Sequence, residues 1–150
     1  MPTLPPRNDA EITIPHNHDE VVDGATLIRR ISEAQTVMID GRKRISSIAY
    51  KGSTDAGGSM SVDIEPFILN DELDAREWVT SPKWIGSVEF QCGFLRELNL
   101  QVGYDPIPPP AHLPVNPYHG GVWGNFSRAV RKRMQHAAAW FVQIPDVELV

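Results

Sequence analysis

One histidine stands out as a candidate for acid–base chemistry, because it follows a proline-rich segment and precedes two glycines. Residues 105–124 read DPIPPPAHLPVNPYHGGVWG, which places His119 directly before Gly120 and Gly121. Proline fixes φ and lacks a backbone donor, so the first part of this segment predicts a stiff, extended loop. A neutral imidazole at the end of such a loop could act as a general base or as a hydrogen-bond donor. We therefore take His119 as the candidate catalytic residue, with a structural role in the turn as the alternative.

A second set of polar residues falls on two predicted strands. Arg29 and Arg30 interrupt the apolar segment TLIRRI, and alternation along a strand turns only one of them toward a given face. An inward arginine needs an anionic partner, which is either a carboxylate of the protein or a phosphate of a ligand. In the segment SMSVDI, alternation would place Ser59, Ser61 and Asp63 on one face. We predict that Arg30, Ser59, Ser61 and Asp63 bind a ligand, with a protein carboxylate for the arginine and a solvent face for the serines as alternatives.

This order of residues resembles the Arg, Ser-x-Ser, Glu arrangement of NAD-using ADP-ribosyltransferases. Here the third position would be His119 or Glu89, and the serine motif reads S-M-S. The resemblance implies a phosphorylated or nucleotide-like ligand.

A possible metal motif lies nearer the N-terminus. His16 and His18 stand in the sequence H-N-H-D-E, which contains the ligand types of a divalent-metal site. Two ligands at this spacing do not complete a site, and a third would have to come from His112 or His119. We therefore expect a solvated segment here, with no metal site and no other cofactor.

The C-terminal region predicts a basic amphipathic helix. In residues 125–142, apolar side chains recur every three or four positions, as the buried face of a helix requires. These apolar positions are Phe126, Val130, Met134, Ala137 and Phe141. The basic residues Arg128, Arg131 and Lys132 lie between them. We predict that these three residues contact a partner, with Tyr118 and Trp123 as aromatic anchors.

Composition narrows the classes of protein that fit. The chain has 150 residues and one cysteine, Cys92, so it has the length of one domain and cannot form an internal disulfide. A formal net charge of −5 makes general binding to nucleic acid unfavourable. Neither a signal-peptide pattern nor a membrane-spanning apolar run is present. We expect a cytoplasmic protein.

Turn residues and apolar patterning predict the organisation of the chain. Residues 1–24 predict an irregular arm, and residues 25–150 predict a single domain. TLIRRI, TVMI and SMSVDI are typical of strands, while Asp40 and Gly41 predict a hairpin turn. The absence of regular strand–helix alternation favours an α+β fold, with a mostly antiparallel sheet and two or three helices.

From Leu27 to Val142 the chain resembles a group of small, uncharacterised bacterial proteins. The resemblance begins with the leucine- and arginine-containing strand, and it continues with Ser-Ser-x-Ala at residues 46–49 and Ser-Val-Asp at residues 61–63. It ends with Arg96, the pair Asp105 and Pro106, and the Asn-Pro-x-His segment at residues 116–119. The group has no assigned activity, so the resemblance implies no function.

Two functional hypotheses remain open. The first is an interaction or accessory module that binds a partner protein, or a second copy of itself, through its basic helix or proline-rich loop. The uneven charge supports it, because residues 9–23 and 63–77 are acidic while the C-terminal helix is basic. The second is a small enzyme or ligand-binding domain that uses Arg30, Ser59, Ser61 and His119.

Overall fold

The segment TLIRRI forms a central strand of an antiparallel sheet in the computed structural model, which describes residues 2–53, 58–108 and 115–150. The strands are β1 (Thr26–Ile31), β2 (Thr36–Ile39), β3 (Arg42–Ile45), β4 (Met60–Ile64), β5 (Gly86–Gln91), β6 (Gln101–Tyr104), β7 (His119–Trp123) and β8 (Ala139–Val142). The α-helices are α1 (Glu65–Asn70), α2 (Ala75–Val79), α3 (Cys92–Glu97) and α4 (Arg128–Ala137). Short 3-10 helices span Glu33–Gln35 and Ser47–Ala49.

Six strands form the main sheet in the order β6-β7-β4-β1-β5-β8, and every pairing in it is antiparallel. The other two, β2 and β3, form a separate hairpin. Asp40 and Gly41 occupy its turn with φ of 51° and 75°, the left-handed conformation that a tight hairpin turn needs. The predicted α+β fold with a mostly antiparallel sheet is confirmed. Four α-helices lie in the described residues, because the segment after β4 forms two short helices.

The main sheet buries a continuous apolar face. Leu27 and Ile31 of β1, Val62 of β4 and Val88 of β5 are all at most 1% exposed. Helix α3 packs against β5 and β6, and α1 packs against β1. The opposite face carries Arg30, Asp63 and His119, which alternate with these apolar positions, while Arg29 shares the face of Leu27 and Ile31.

The C-terminal segment differs from the helix predicted across residues 125–142. Helix α4 ends at Ala137, and Ala139–Val142 form the edge strand β8 beside β5. Trp140, Phe141 and Val142 favour strands intrinsically, and the edge of β5 offers them backbone partners. Tertiary pairing therefore overrides the helical periodicity at this end.

Residues 2–24 contain no helix or strand, but they pack against the edge strand β6. The amide of His18 donates to the carbonyl of Val102 at 3.0 Å, and the Val102 amide donates to Oδ1 of Asn17 at 2.9 Å. The Tyr104 amide donates to Nε2 of His16 at 3.3 Å. Gly103 permits this approach, since a Cβ there would lie 2.5 Å from the same nitrogen.

Candidate functional site

Two of the predicted ligand-binding residues are partners of each other. Asp63 lies opposite Ile28 in the pairing of β1 with β4, and Arg30 lies two residues further along β1 on the same face. The Arg30 guanidinium donates from Nε and Nη2 to the two carboxylate oxygens of Asp63, at 2.8 and 3.0 Å. Nδ2 of Asn116 donates to the same carboxylate at 2.8 Å. Asp63 is 3% exposed, so this pair is a buried bidentate ion pair that uses a protein carboxylate.

His119 lies beside Asp63 in the sheet but bonds elsewhere. Its Nδ1 is 2.6 Å from the backbone oxygen of Asp105, so Nδ1 carries the proton and donates it. The Asp105 amide donates in return to the carbonyl of His119 at 2.9 Å. The side chain is 12% exposed, and its Nε2 has no hydrogen-bond partner among the described residues. His119 therefore closes the end of the β6–β7 pairing, and its Nε2 remains without a hydrogen-bond partner among the described residues.

Neither predicted serine forms a side-chain hydrogen bond with this pair or with His119 among the described residues. Ser61 is exposed, and its backbone oxygen accepts from Nη1 of Arg29 at 3.0 Å. Ser59 lies at the start of β4 and lines a cleft described below. The structure thus pairs Arg30 with Asp63 and places His119 opposite Asp63 in the sheet, whereas the side chains of Ser59, Ser61 and His119 form no hydrogen bond with the ion pair.

Arg29 occupies the opposite face from Arg30, as alternation requires. Its guanidinium donates to the backbone oxygens of Ala49 and Ser61, both at 3.0 Å, and forms no ion pair within the described ranges. Burial lowers the pKa of Arg29 to about 10. Burial also raises the pKa of the neighbouring Tyr50, whose hydroxyl has no partner among the described residues. Arg29 is held by backbone carbonyls rather than by a carboxylate.

A cleft of about 390 Å³ lies between the N-terminal segment and the start of the proline-rich loop. The hydroxyl of Thr13 donates to Oδ1 of Asp105 at 2.7 Å and joins the two walls. Residues 105–108 continue beyond β6, and Ile107 pairs with Asn116 as the chain returns. The lining residues include Arg7, Glu11, Ile12, Thr13, Ser59, Asp105, Pro106 and Trp123.

Our sequence reasoning missed this cleft, because it took residues 1–24 as an arm apart from the domain. Asn8 offers a local signal: its side-chain oxygen accepts from the amides of Ala10 and Ile12 at 2.9 and 3.0 Å and folds the segment back. No sequence pattern indicates that Thr13 meets Asp105.

The predicted aromatic anchors are largely buried. Tyr118 is 7% exposed, and its hydroxyl donates to Oδ2 of Asp71 at 2.6 Å. The ring of Trp78 meets the Tyr118 ring edge-on at 5.0 Å. Trp123 is 4% exposed, and its ring lies over Gly121, where a Cβ would be 2.6 Å from the indole. Both side chains are committed to internal packing and leave little surface for a partner.

The predicted basic residues lie on α4, a helix with one buried side chain, Met134. Ser127 caps it, because Oγ accepts from the amide of Val130 at 3.2 Å. Arg128 and Lys132 are exposed and Arg131 is half-buried. None of the three forms an ion pair with a carboxylate in the part of the chain that the structure describes.

His16 and His18 use their ring nitrogens for backbone contacts. In His16, Nδ1 is 2.7 Å from the carbonyl of Ile14, and Nε2 accepts from Tyr104 as described. In His18, Nε2 is 2.7 Å from the carbonyl of Thr3, and Nδ1 accepts from the amide of Glu20 at 3.2 Å. These rings anchor the N-terminal segment. The third ligand suggested by the sequence, His112, lies outside the described residues.

Comparisons with protein-family models, curated proteins and solved structures find no match for this chain. In residues 2–53, 58–108 and 115–150, no helix has the length and apolar character needed to cross a membrane.

Proposed function

We propose that this chain is a protein-interaction module that binds an acidic partner through the exposed face of α4. The observation that carries the proposal is the set of positive charges on this helix that lack a carboxylate partner among the described residues. Arg128, Arg131, Lys132 and Arg133 fall within six positions, and α4 has no acidic residue. Such a surface attracts an acidic partner and orients it before contact.

Several basic side chains elsewhere in the described structure are paired with carboxylates. Arg30 is bound by Asp63, and Arg96 donates to Asp23 at 2.7 Å. Lys43 pairs with Glu33. The cations of α4 have no such partner among the described residues and lie together on one helix, so they form a cationic surface that remains available.

The shape of α4 supports close approach of a partner. Two small residues, Ala129 and Ala137, line a shallow surface groove together with Lys132, Arg133 and His136. Small side chains let another backbone come near the helix, while the basic side chains at the margin meet carboxylates. The groove therefore suits an acidic segment of another protein.

The net charge of −5 disfavours the phosphate backbone of a nucleic acid as the partner. The acidic partner could be a second copy of this chain, because Asp71, Glu72 and Asp74 are exposed between α1 and α2 and could meet the basic helix of another molecule. An acidic surface and a basic helix on one molecule would pair head to tail.

The test is native mass spectrometry of the tagged protein isolated from its source cells at moderate ionic strength. The variant Arg128→Glu with Lys132→Glu reverses two exposed charges on α4. The control, Arg42→Glu with Lys83→Glu, makes the same charge change at exposed positions outside α4. We expect the unmodified protein and the control to retain a stoichiometric second chain, and the α4 variant to lose it while its melting temperature stays unchanged.

The proposal would be contradicted if both variants retained the second chain equally, or if both lost it equally. The mass of the second chain separates a different protein from a second copy.

A second candidate, the ligand-binding or catalytic domain, rests on His119. Its Nδ1–H is fixed by the carbonyl of Asp105, which leaves Nε2 as a base. Titration calorimetry with NAD as the probe tests this candidate. Binding that His119→Ala abolishes without lowering the melting temperature would favour it, whereas a large loss of stability without any NAD binding would assign His119 to the hairpin.

A further inference from the structure

The hairpin of β2 and β3 has one edge whose backbone groups lack partners among the described residues. On the β3 side, the carbonyl of Lys43 accepts from the amide of Glu148, and the amide of Ile45 donates to the carbonyl of Glu148, both at 3.0 Å. The Ile45 carbonyl accepts from the side chain of Gln135 on α4, also at 3.0 Å. These groups of β3 therefore point away from β2, and the chain itself occupies that side of the hairpin.

The strand pairing shows which groups of β2 point outward on the opposite side. Met38 lies opposite Lys43, and Thr36 lies opposite Ile45. Two residues that face each other in an antiparallel pair either exchange both backbone hydrogen bonds or direct their groups away from each other. The amide and carbonyl of Met38 and the carbonyl of Thr36 therefore point away from β3. None of the three has a partner among the described residues, whereas the Thr36 amide donates to the carbonyl of Glu33.

The side chains of β2 leave this edge open to an added strand. Met38 and Ile39 are 63% and 38% exposed, and no residue of Thr36–Ile39 is charged. The strand thus lacks the lysine or proline that commonly blocks strand addition at an edge. An extended segment that joins such an edge gains main-chain hydrogen bonds from the strand and specificity from the side chains on its two faces.

A cation without a partner lies beside this edge. Arg44 lies opposite Val37 in the hairpin, so their side chains share one face. Arg44 is half-buried and forms no ion pair among the described residues, whereas its two basic neighbours on β3 both have carboxylate partners. Adjacent strands lie about 4.8 Å apart, so an acidic residue added beside Val37 would lie about 10 Å from Arg44 between Cα atoms. The two side chains can span that distance.

From the open edge and its unpaired cation we infer that β2 binds an extended segment of a partner protein, in which an acidic residue adjoins an apolar one. The apolar residue lies opposite Met38 and exchanges backbone hydrogen bonds with it. The acidic residue lies beside Val37 on the other face and pairs with Arg44. Helix α4 adjoins the opposite side of the hairpin, so this surface is distinct from the one in the proposed function and does not depend on it.

A synthetic peptide tests the inference, with methionine amide signals followed by NMR. Acetyl-Thr-Glu-Val-Glu-Thr-amide carries glutamate on both sides of the valine, so one glutamate lies beside Val37 in either direction of the peptide. The protein has four methionines, and in protein labelled with ¹⁵N-methionine the Met38 signal is identified by its loss in Met38→Leu. We expect the peptide at millimolar concentration to shift the Met38 amide signal and to leave those of the buried Met60 and Met134 unchanged.

Two altered peptides separate the backbone contribution from the charge contribution. The peptide with an N-methylated valine cannot donate to the Met38 carbonyl and should bind about tenfold more weakly. The peptide with glutamine in place of both glutamates should bind about fivefold more weakly, because it cannot form the ion pair with Arg44. Fluorescence anisotropy of dye-labelled peptides measures each affinity.

Variants assign both contributions to this surface. Met38→Pro removes the outward amide without removing a hydrogen bond of the hairpin, so it should weaken binding about tenfold, whereas Met38→Leu should leave binding unchanged. Arg44→Gln should bind the glutamate and glutamine peptides equally, whereas Arg128→Gln on α4 should keep the preference for glutamate. If Met38→Pro alters the fold, the N-methylated peptide carries the backbone test instead.

An unmoved Met38 signal, or equal affinities for the N-methylated and unmodified peptides, would overturn the inference. Equal affinities of the unmodified protein for the glutamate and glutamine peptides would overturn the acidic character of the partner. A Met38 signal that moves with protein concentration in the absence of peptide would also overturn the inference, in favour of pairing between the hairpins of two copies.

Discussion

Replacing either member of the Arg30–Asp63 pair tests whether it is the buried ion pair that the geometry indicates. The Asp63 side chain is 4% exposed and that of Arg30 is 22% exposed, so the two single replacements have unequal costs. Arg30→Met leaves a buried carboxylate with one hydrogen bond, from Asn116, and should cost about 3–5 kcal/mol. Asp63→Asn leaves a guanidinium that water still reaches in part, and should cost about 2–3 kcal/mol.

The double variant leaves neither charge unpaired, so its cost should be well below the sum of the two single costs. We expect a loss of about 2–3 kcal/mol for the double variant, which corresponds to a coupling of about 4 kcal/mol. Urea unfolding followed by tryptophan fluorescence gives the free energy of unfolding of each variant. The values can be compared provided that the slope of this free energy against urea concentration is the same in all variants.

The Arg42–Glu148 pair is the control cycle. Its closest N–O distance is 3.7 Å, and its side chains are 74% and 48% exposed, so its coupling should not exceed about 1 kcal/mol. If the cost of the double variant equals the sum of the two single costs within about 0.5 kcal/mol, Arg30 and Asp63 behave as independent sites. That result would refute the assignment of a coupled buried ion pair.

Three further predictions follow from other packed groups. Gly121→Ala places a Cβ 2.6 Å from an indole ring and should destabilise the fold by about 1–3 kcal/mol in thermal unfolding, whereas Gly24→Ala, with open space around it, should not. The hydrogen bond to Asp71 and burial raise the pKa of Tyr118 to about 12, so the contribution of Tyr118 to stability is complete below pH ~10 and is lost as the pH rises toward 12. Tyr118→Phe should lower the free energy of unfolding by about 1 kcal/mol at neutral pH and make its decline at alkaline pH shallower. Parallel plots of unfolding free energy against pH for the two proteins would contradict this. Burial raises the pKa of the Cys92 thiol to about 11, so Ellman's reagent should label it only after unfolding, and rapid labelling of the native protein would count against its burial.

Local patterns predicted much of the fold. Thr26–Ile31 and Thr36–Ile39 have the bounds that the sequence indicated, and the Asp-Gly turn joins β2 to β3. These elements depend on alternation and turn chemistry, both of which are local. The end of α4 was not predictable in the same way, because Trp140 becomes a strand residue through pairing with Val88 of a distant strand.

In the candidate site, too, local patterns predicted some features while the pairing of distant strands decided others. Alternation placed Arg30 and Asp63 on polar positions, and the carboxylate partner was one of two alternatives drawn from the sequence. The register of β1 against β4 decides that these two side chains meet, and no local pattern encodes that register. The contact between Thr13 and Asp105 spans 92 residues and lay beyond sequence reasoning altogether.

The contacts of the N-terminal segment with β6 protect the chain against aggregation. An edge strand with free amides and carbonyls is a template for strands of other molecules. In this protein Asn17 and His18 occupy the amide and the carbonyl of Val102, and His16 occupies the amide of Tyr104. A version of the chain without its first 24 residues would therefore present an open edge at β6, and we expect it to gain a tendency to polymerise.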